Sequence, residues 1–207
     1  MLVLIGDIVG SRRLPRREEF QHHLSEVLEA INRASSRIIS PYTITLGDEF
    51  QAVYRSADSL FRHLFYLLSE IHPQQCRFSI AVGKLNTPVN PNQAIGMDGP
   101  AFHIARKNLE ALKKSGGIFC VGGLFLPDEE LINNTLELVA HLISAWQSTR
   151  YKVFFSYLDQ KSPASIAKDL NISVVSVYKN RKHGAFIPLL KIMKNIQQAL
   201  NRQLEQK

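Results

Sequence analysis

Apolar positions follow two different rhythms along this chain, one over roughly the first 121 residues and another after them. Leu2–Ile5 is an unbroken apolar run beside a Gly, which predicts a buried strand over Leu2–Gly6. From Arg17 to about Ser36, Phe20, Leu24, Val27, Leu28 and Ile31 recur at helical spacing. Pro15 sits near that helix start, where its fixed φ is tolerated. Pro41 ends the connection, and strands are predicted at Tyr42–Leu46 and Phe50–Tyr54 around a Gly47-Asp48 turn of hairpin type. A second helix over about Ser56–Ile71 turns Leu60, Leu64, Leu67 and Leu68 inward. Arg77–Lys84 reads as a strand, and Leu85–Met97, with two Pro and three Asn, as a loop. A third helix spans about Ala101–Lys114, Gly116-Gly117 stops it, and Ile118–Val121 is a last strand. The order is βαββαβ followed by αβ. It predicts an α+β, ferredoxin-like sandwich with helices on one face of a mainly antiparallel sheet.

Beyond a boundary region at Gly122–Pro127 only helical patterns remain, roughly Asp128–Ser148 and then several short helices. The expected division is residues 1–125 and 126–207. Leu142, Ile143, Trp146, Tyr151, Val153, Phe154 and Tyr157 are expected to form a core belonging to the second part. Within it, SPASIAKDLNISVVSVYKNRKHG has two helical stretches around a tight break at Asn171-Ile172-Ser173. Ile166, Ala167 and Leu170 give the first stretch an apolar face, Ser173 can cap the second, and Ile172 and Val177 plug the space between them. This is a helix-turn-helix pattern over about residues 162–183. Its second helix sends Val174, Ser176, Lys179, Asn180 and Lys182 outward as the candidate DNA contacts. Arg181 stands where such motifs usually bury an aliphatic side chain. The stretch Phe186–Leu204 carries a stripe of Leu189, Leu190, Met193, Ile196 and Leu200, suited to packing or to dimerisation.

Charge sharpens that picture. Residues 148–207 hold eleven Lys/Arg and three Asp/Glu, whereas the whole 207-residue chain has a net charge of +7. The basic character therefore belongs to the last quarter, which suggests a nucleic-acid or acidic partner for it. Hydrophobic content of 45% is that of an ordinary chain able to bury a core. No apolar run approaches the length of a membrane span. Residues 1–5 are preceded by no basic region and read as a strand rather than a signal peptide, so the cytoplasm is the expected location. Cys76 and Cys120 are expected to be free thiols rather than a disulfide or a zinc site.

The candidate chemistry lies in two acidic motifs, LVLIGDIVG and ITLGDEFQAVY. Each sets an Asp at the end of an apolar strand. If the strands are neighbours, Asp7 and Asp48 meet at one end of the sheet, and two hard oxygen ligands there suit Mg²⁺.

These residues carry a resemblance. LIGDIVGSR resembles the metal-binding first strand of class III nucleotidyl cyclases. TLGDEFQAV resembles their second carboxylate hairpin and the GGDEF hairpin of diguanylate cyclases. RFSIAVGKL, GPAFHIARKNLEAL and GGIFCVG are similar to the strand, helix and strand that follow. The whole chain is most similar to the SatD family, which joins such a domain to a helix-turn-helix. The resemblance implies Mg²⁺ or Mn²⁺ held by Asp7 and Asp48, with Glu49 reaching metal through water. It implies a triphosphate or other phosphate-bearing ligand cradled by the backbone of Ile8, Val9, Gly10 and Ser11, with Arg12 and Arg13 adding charge. It implies a homodimer as well. The family's base-reading positions fall on Ile44 and Gly96, its transition-state Asn on His103 and its Arg on Lys107, with Arg106 one residue off register. Those departures leave open whether any reaction is catalysed, because Lys does not replace the planar fork of Arg. Asp98 is expected to cap the third helix or to add a polar group to the cleft. The leading expectation is a cytoplasmic Mg²⁺- and nucleotide-binding, DNA-binding regulator. The alternatives are an active nucleotidyl cyclase or related phosphoryl-transfer enzyme, and a non-catalytic dimerisation scaffold.

Overall fold

A computed structural model describes residues 1–123 and 126–205. The division expected between 125 and 126 falls at Phe125, outside the described residues. The first part is a mixed α/β unit. Its strands are β1 (Leu2–Ile8), β2 (Ile38–Leu46), β3 (Glu49–Tyr54), β4 (Cys76–Val82) and β5 (Phe119–Gly123). They form one sheet in the order β2-β3-β1-β4-β5, antiparallel throughout except for the parallel pair β4–β5. Between them run α1 (Arg17–Ala34), α2 (Leu60–Ile71) and α3 (Pro100–Ser115). The second part is all helical: α4 (Glu129–Ser144), α5 (Ser148–Leu158), α6 (Pro163–Asp169), α7 (Val174–His183) and α8 (Phe186–Glu205). No helix among the described residues is long and apolar enough to cross a membrane.

The sheet is covered on both faces, not on one. Leu2, Leu4 and Ile8 of β1 join α1 and α2 in the larger core, whereas Val3 and Ile5 face α3 through Ala101, Phe102, Ala105 and Leu109. A parallel β4–β5 pair needs a crossover, and α3 supplies it from the second face. Gly6 is required where it stands, because a Cβ there would overlap the ring of its cross-strand neighbour Phe50. β2 begins at Ile38 and runs through Pro41, which the sequence pattern treats as a terminator. As an edge strand it tolerates a residue that cannot donate, and its register against β3 shifts between Ser40 and Thr43.

A polar chain crosses the larger core. The Tyr42 and Tyr54 hydroxyls lie 2.7 Å apart, and Tyr54 is 2.7 Å from His63 Nδ1. His63 is fully buried, and its Nε2 has no partner among the described residues. Burial, helped by the charge of Arg62, lowers the His63 pKa from 6.5 to about 4. A depressed histidine stabilises the fold above its unfolded pKa and loses that contribution as pH falls through the folded one. Stability therefore drops between pH 6.5 and about 4, by roughly 3 kcal/mol from this group. Urea melts at both ends of that window should show a smaller pH effect in His63→Gln. An unchanged pH effect in the variant would remove His63 as its source.

The helical part does not hold a core apart from the sheet. Trp146, Tyr151, Val153 and Phe154 belong to the same buried cluster as β1 and α2. Phe65 of α2 packs edge-on against Phe154 at 4.6 Å, and Phe154 packs against Phe186 at 4.8 Å. Arg62 of α2 pairs with Asp159 at the end of α5. Asn133 of α4 accepts from the Val121 N–H (2.8 Å) and donates to its carbonyl (2.9 Å), pairing backbone groups of edge strand β5. The stripe on α8 turns inward, and Asn201 and Gln197 reach the loop before α2, with bonds to Ala57 and Asp58.

Candidate functional site

The carboxylates lie in a charged row across the α3 side of the sheet. The register sets Asp7 of β1 opposite Glu49 of β3 on one side and Arg77 of β4 on the other. Asp7 stays on the same face as Val3 and Ile5 because side chains alternate along a strand. Asp48 lies in the two-residue turn itself, where Gly47 adopts φ +66°. A glycine at the first central position is what a two-residue hairpin turn of the II′ type requires.

The protein's own cations fill this row. Arg77 Nη1 donates to Asp7 Oδ2 at 2.9 Å, and Lys113 Nζ from α3 stands 3.7 Å from Asp7 Oδ1. Glu49 faces Lys113 at 3.8 Å and Arg106 at 3.6 Å. Burial works against the Lys113 charge. The Glu110 hydrogen bond and the charges of Asp7, Glu110 and Glu49 outweigh it and hold its pKa above the ordinary value. Two carboxylates neutralised by three cations form an internal ion cluster. Among the described residues, no group of three or more His, Cys, Asp or Glu could hold a metal ion. The expected Mg²⁺ or Mn²⁺ site at Asp7, Asp48 and Glu49 is therefore corrected. With it go the metal-binding and cyclase-like labels and the Mg²⁺-dependent nucleotide-binding regulator built on them.

The remaining expected residues are placed as follows. Ile8 is buried at the end of β1, and the Val9 N–H already donates to the Gln75 carbonyl at 2.9 Å. Gly10 turns the chain at φ 67° into a single 3-10 turn at Ser11–Arg13, in which Ser11 is buried and Arg12 and Arg13 are exposed. His103 lies 3.2 Å from Asp98, and both are largely exposed. Asp98 does not cap α3, whose N-cap is Gly99 without a side-chain bond. Arg106 reaches Glu49 and the Gln51 amide oxygen (3.5 Å), while Lys107 is exposed. Cys76 and Cys120 are free, and burial pushes both thiols up.

The second candidate surface is the α6–α7 pair. Ser162 and Ser173 cap the two helices by accepting from the N–H groups of Ser165 (3.2 Å) and Ser176 (3.1 Å). The turn between them is a Schellman closure. Asn171 takes φ 52°, the Ile172 N–H bonds the Ala167 carbonyl at 3.0 Å, and the Asn171 N–H bonds that of Lys168 at 3.3 Å. Ile166, Ala167 and Val177 are buried between the pair and the helices behind it. Of the expected outward residues, Val174, Lys179 and Lys182 are exposed. Ser176 is half-buried, and so is Asn180, whose Oδ1 accepts from Arg150 of α5 at 3.2 Å. Val175 and Tyr178, exposed on the same side as Lys182, escape a reading that assigns apolar helix residues to the core. Taking Val177 as the buried anchor and stepping about 100° per residue finds Val175, about 160° away, while Tyr178 falls on the flank at about 100°. α7 continues through Arg181 to His183, and the Arg181 guanidinium lies 5.5 Å from the Tyr178 ring centre.

Fold and surfaces together define a two-part protein: an α/β unit with an internally neutralised carboxylate row, joined through a shared core to a basic all-helical unit. The family model described as SatD family (SatD) matches residues 1–202, and the chain belongs to that family. No curated protein matches it.

Proposed function

We propose that this SatD family chain is a DNA-binding protein that docks α6–α7 as a helix-turn-helix, with α7 in the major groove. The observation that supports this best is the exposed, cation-bearing side of α7. It stands on a capped, Schellman-closed helix pair whose other side is anchored by Val177. The concentration of eleven Lys/Arg against three Asp/Glu after Gln147 supports it from the charge side. For the α/β unit, the order β2-β3-β1-β4 with α1 and α2 on one face supports the ferredoxin-like reading, with β5 added beyond β4. That unit acts as the scaffold that holds the helix pair, through α2, α5 and α8.

The test is fluorescence anisotropy of the full chain with labelled duplex DNA over a series of salt concentrations. Two to five neutralised phosphates give a slope of about −0.9 per phosphate in log affinity against log salt. Lys179→Ala with Lys182→Ala weakens binding to all sequences and flattens that slope by about two phosphates' worth. Full-affinity binding by the double variant would move the contact surface off α7.

A further inference from the structure

The first turns of α7 present an apolar surface that the other described residues leave largely uncovered. Val174 is 41% exposed, Val175 62% and Tyr178 48%. At 3.6 residues per turn these three fall within one arc of about 100° to one side of the fully buried Val177, and Val175 points almost directly away from it. Lys179 and Lys182, both exposed, lie within about 40° of Val175 and extend its side toward the C-terminal end of the helix. A single exposed apolar residue is ordinary. Three within one arc at the start of a helix, with lysines beside Val175, form a patch whose charge complements a polyanion. Tyr178 is further held by the guanidinium of Arg181 over its ring.

The order along the helix matters. A recognition helix brings its N-terminal residues to base edges, and here those residues are Val174, Val175 and Tyr178. The lysines follow one turn later, placed for phosphate. In the major groove most base-edge groups are hydrogen-bond donors or acceptors, and the thymine C5-methyl is the apolar one. Ser176 and Asn180, the polar residues that would read donors and acceptors, are half-buried. The Asn180 amide is bonded to Arg150 and to the Ser176 carbonyl.

Resting on the DNA-binding reading above, we infer that α7 selects thymine-bearing sites by packing Val174, Val175 and Tyr178 against thymine methyl groups in the major groove. Removing one contacted methyl weakens binding about fourfold, the equivalent of about 0.8 kcal/mol. Val175 is the strongest determinant because it is the most exposed of the three.

The experiment uses the full-length protein and a random-sequence duplex pool. Sequences are selected at low salt, and each thymine of a selected duplex is then replaced by uracil, which pairs identically and lacks the methyl. The expected result is a thymine-containing selected site and an approximately fourfold loss at one or more of those positions. In Val175→Ser the loss at one of these positions disappears, which identifies the methyl that Val175 contacts. A selected site indifferent to uracil, or binding without sequence preference, overturns the inference while leaving the DNA-binding reading in place. If no duplex binds at low salt, both fall, and a protein-binding role for this side of α7 becomes the better account.

Discussion

Phe154→Ala is expected to lower the stability of the whole protein by about 3–5 kcal/mol, the cost of emptying a buried aromatic position. Phe154 is fully buried and stands where the two parts of the chain meet. Its ring packs on Phe65 of α2 (4.6 Å), on Trp146 (5.3 Å) and on Phe186 at the start of α8 (4.8 Å). Removing it leaves the other three rings without their common neighbour, and aromatic pairs contribute about 0.5–1.5 kcal/mol each beyond area. Native domains are stable by only about 5–15 kcal/mol, so the variant sits near its unfolding threshold. Because the core is shared, the loss should appear as one cooperative transition at lower urea, read identically by far-ultraviolet circular dichroism and by fluorescence of Trp146, the chain's one tryptophan. Two separated transitions, with that of the α/β unit unmoved, would show that the helical part is stabilised independently.

Much of this arrangement is written in local pattern. The element order follows from where period-2 runs give way to helical spacing, and the two-residue turn at Gly47-Asp48 follows from its residue types. Both-face burial was also legible in Leu2–Ile5. Four consecutive apolar residues place side chains on both sides of a strand, and a sheet covered on one side only would not require that. The extent of β2 was harder to read, since Pro41 stops an interior strand but not an edge one, and edge position depends on pairings distant in sequence.

The candidate sites divide in the same way. Caps, break and basic face of α6–α7 are local and were readable. The exposure of Val175 follows from the Val177 anchor, about 160° away on the helix, but that of Tyr178, about 100° from it, depends on which neighbouring helix covers that flank. The acidic row failed for a longer-range reason. Alternation fixes the face of Asp7, but nothing near it in sequence shows that Arg77, 70 residues on, is its cross-strand neighbour, or that Lys113 reaches down from α3. An acidic motif looks ready for a cation until the protein's own cations are located.

That difference gives the second large effect. Asp7→Ala is expected to cost about 3 kcal/mol, near the low end for breaking a buried ion pair because its side chain keeps 13% exposure and that of Arg77 15%. The cost comes mainly from what remains. Arg77 already has a buried Nε without a partner among the described residues, and losing Asp7 removes the carboxylate that takes its Nη1 hydrogen bond, while Lys113 is left with Glu49 and Glu110. Replacing both members by apolar residues, Asp7→Leu with Arg77→Leu, removes the unpaired charge as well and should recover most of the loss, since such pairs are often exchanged for apolar groups at little net cost. Each kcal/mol shifts the melting temperature by about 2–4 °C at this chain length, so the single and double variants are separable by thermal melts. The sign is decisive. Carboxylates held together to await an external cation repel one another when it is missing, and removing one relieves that repulsion. An Asp7→Ala protein more stable than the parent would therefore show that Arg77 does not need Asp7, whereas a loss recovered in the double variant fixes Asp7 as a partner of Arg77.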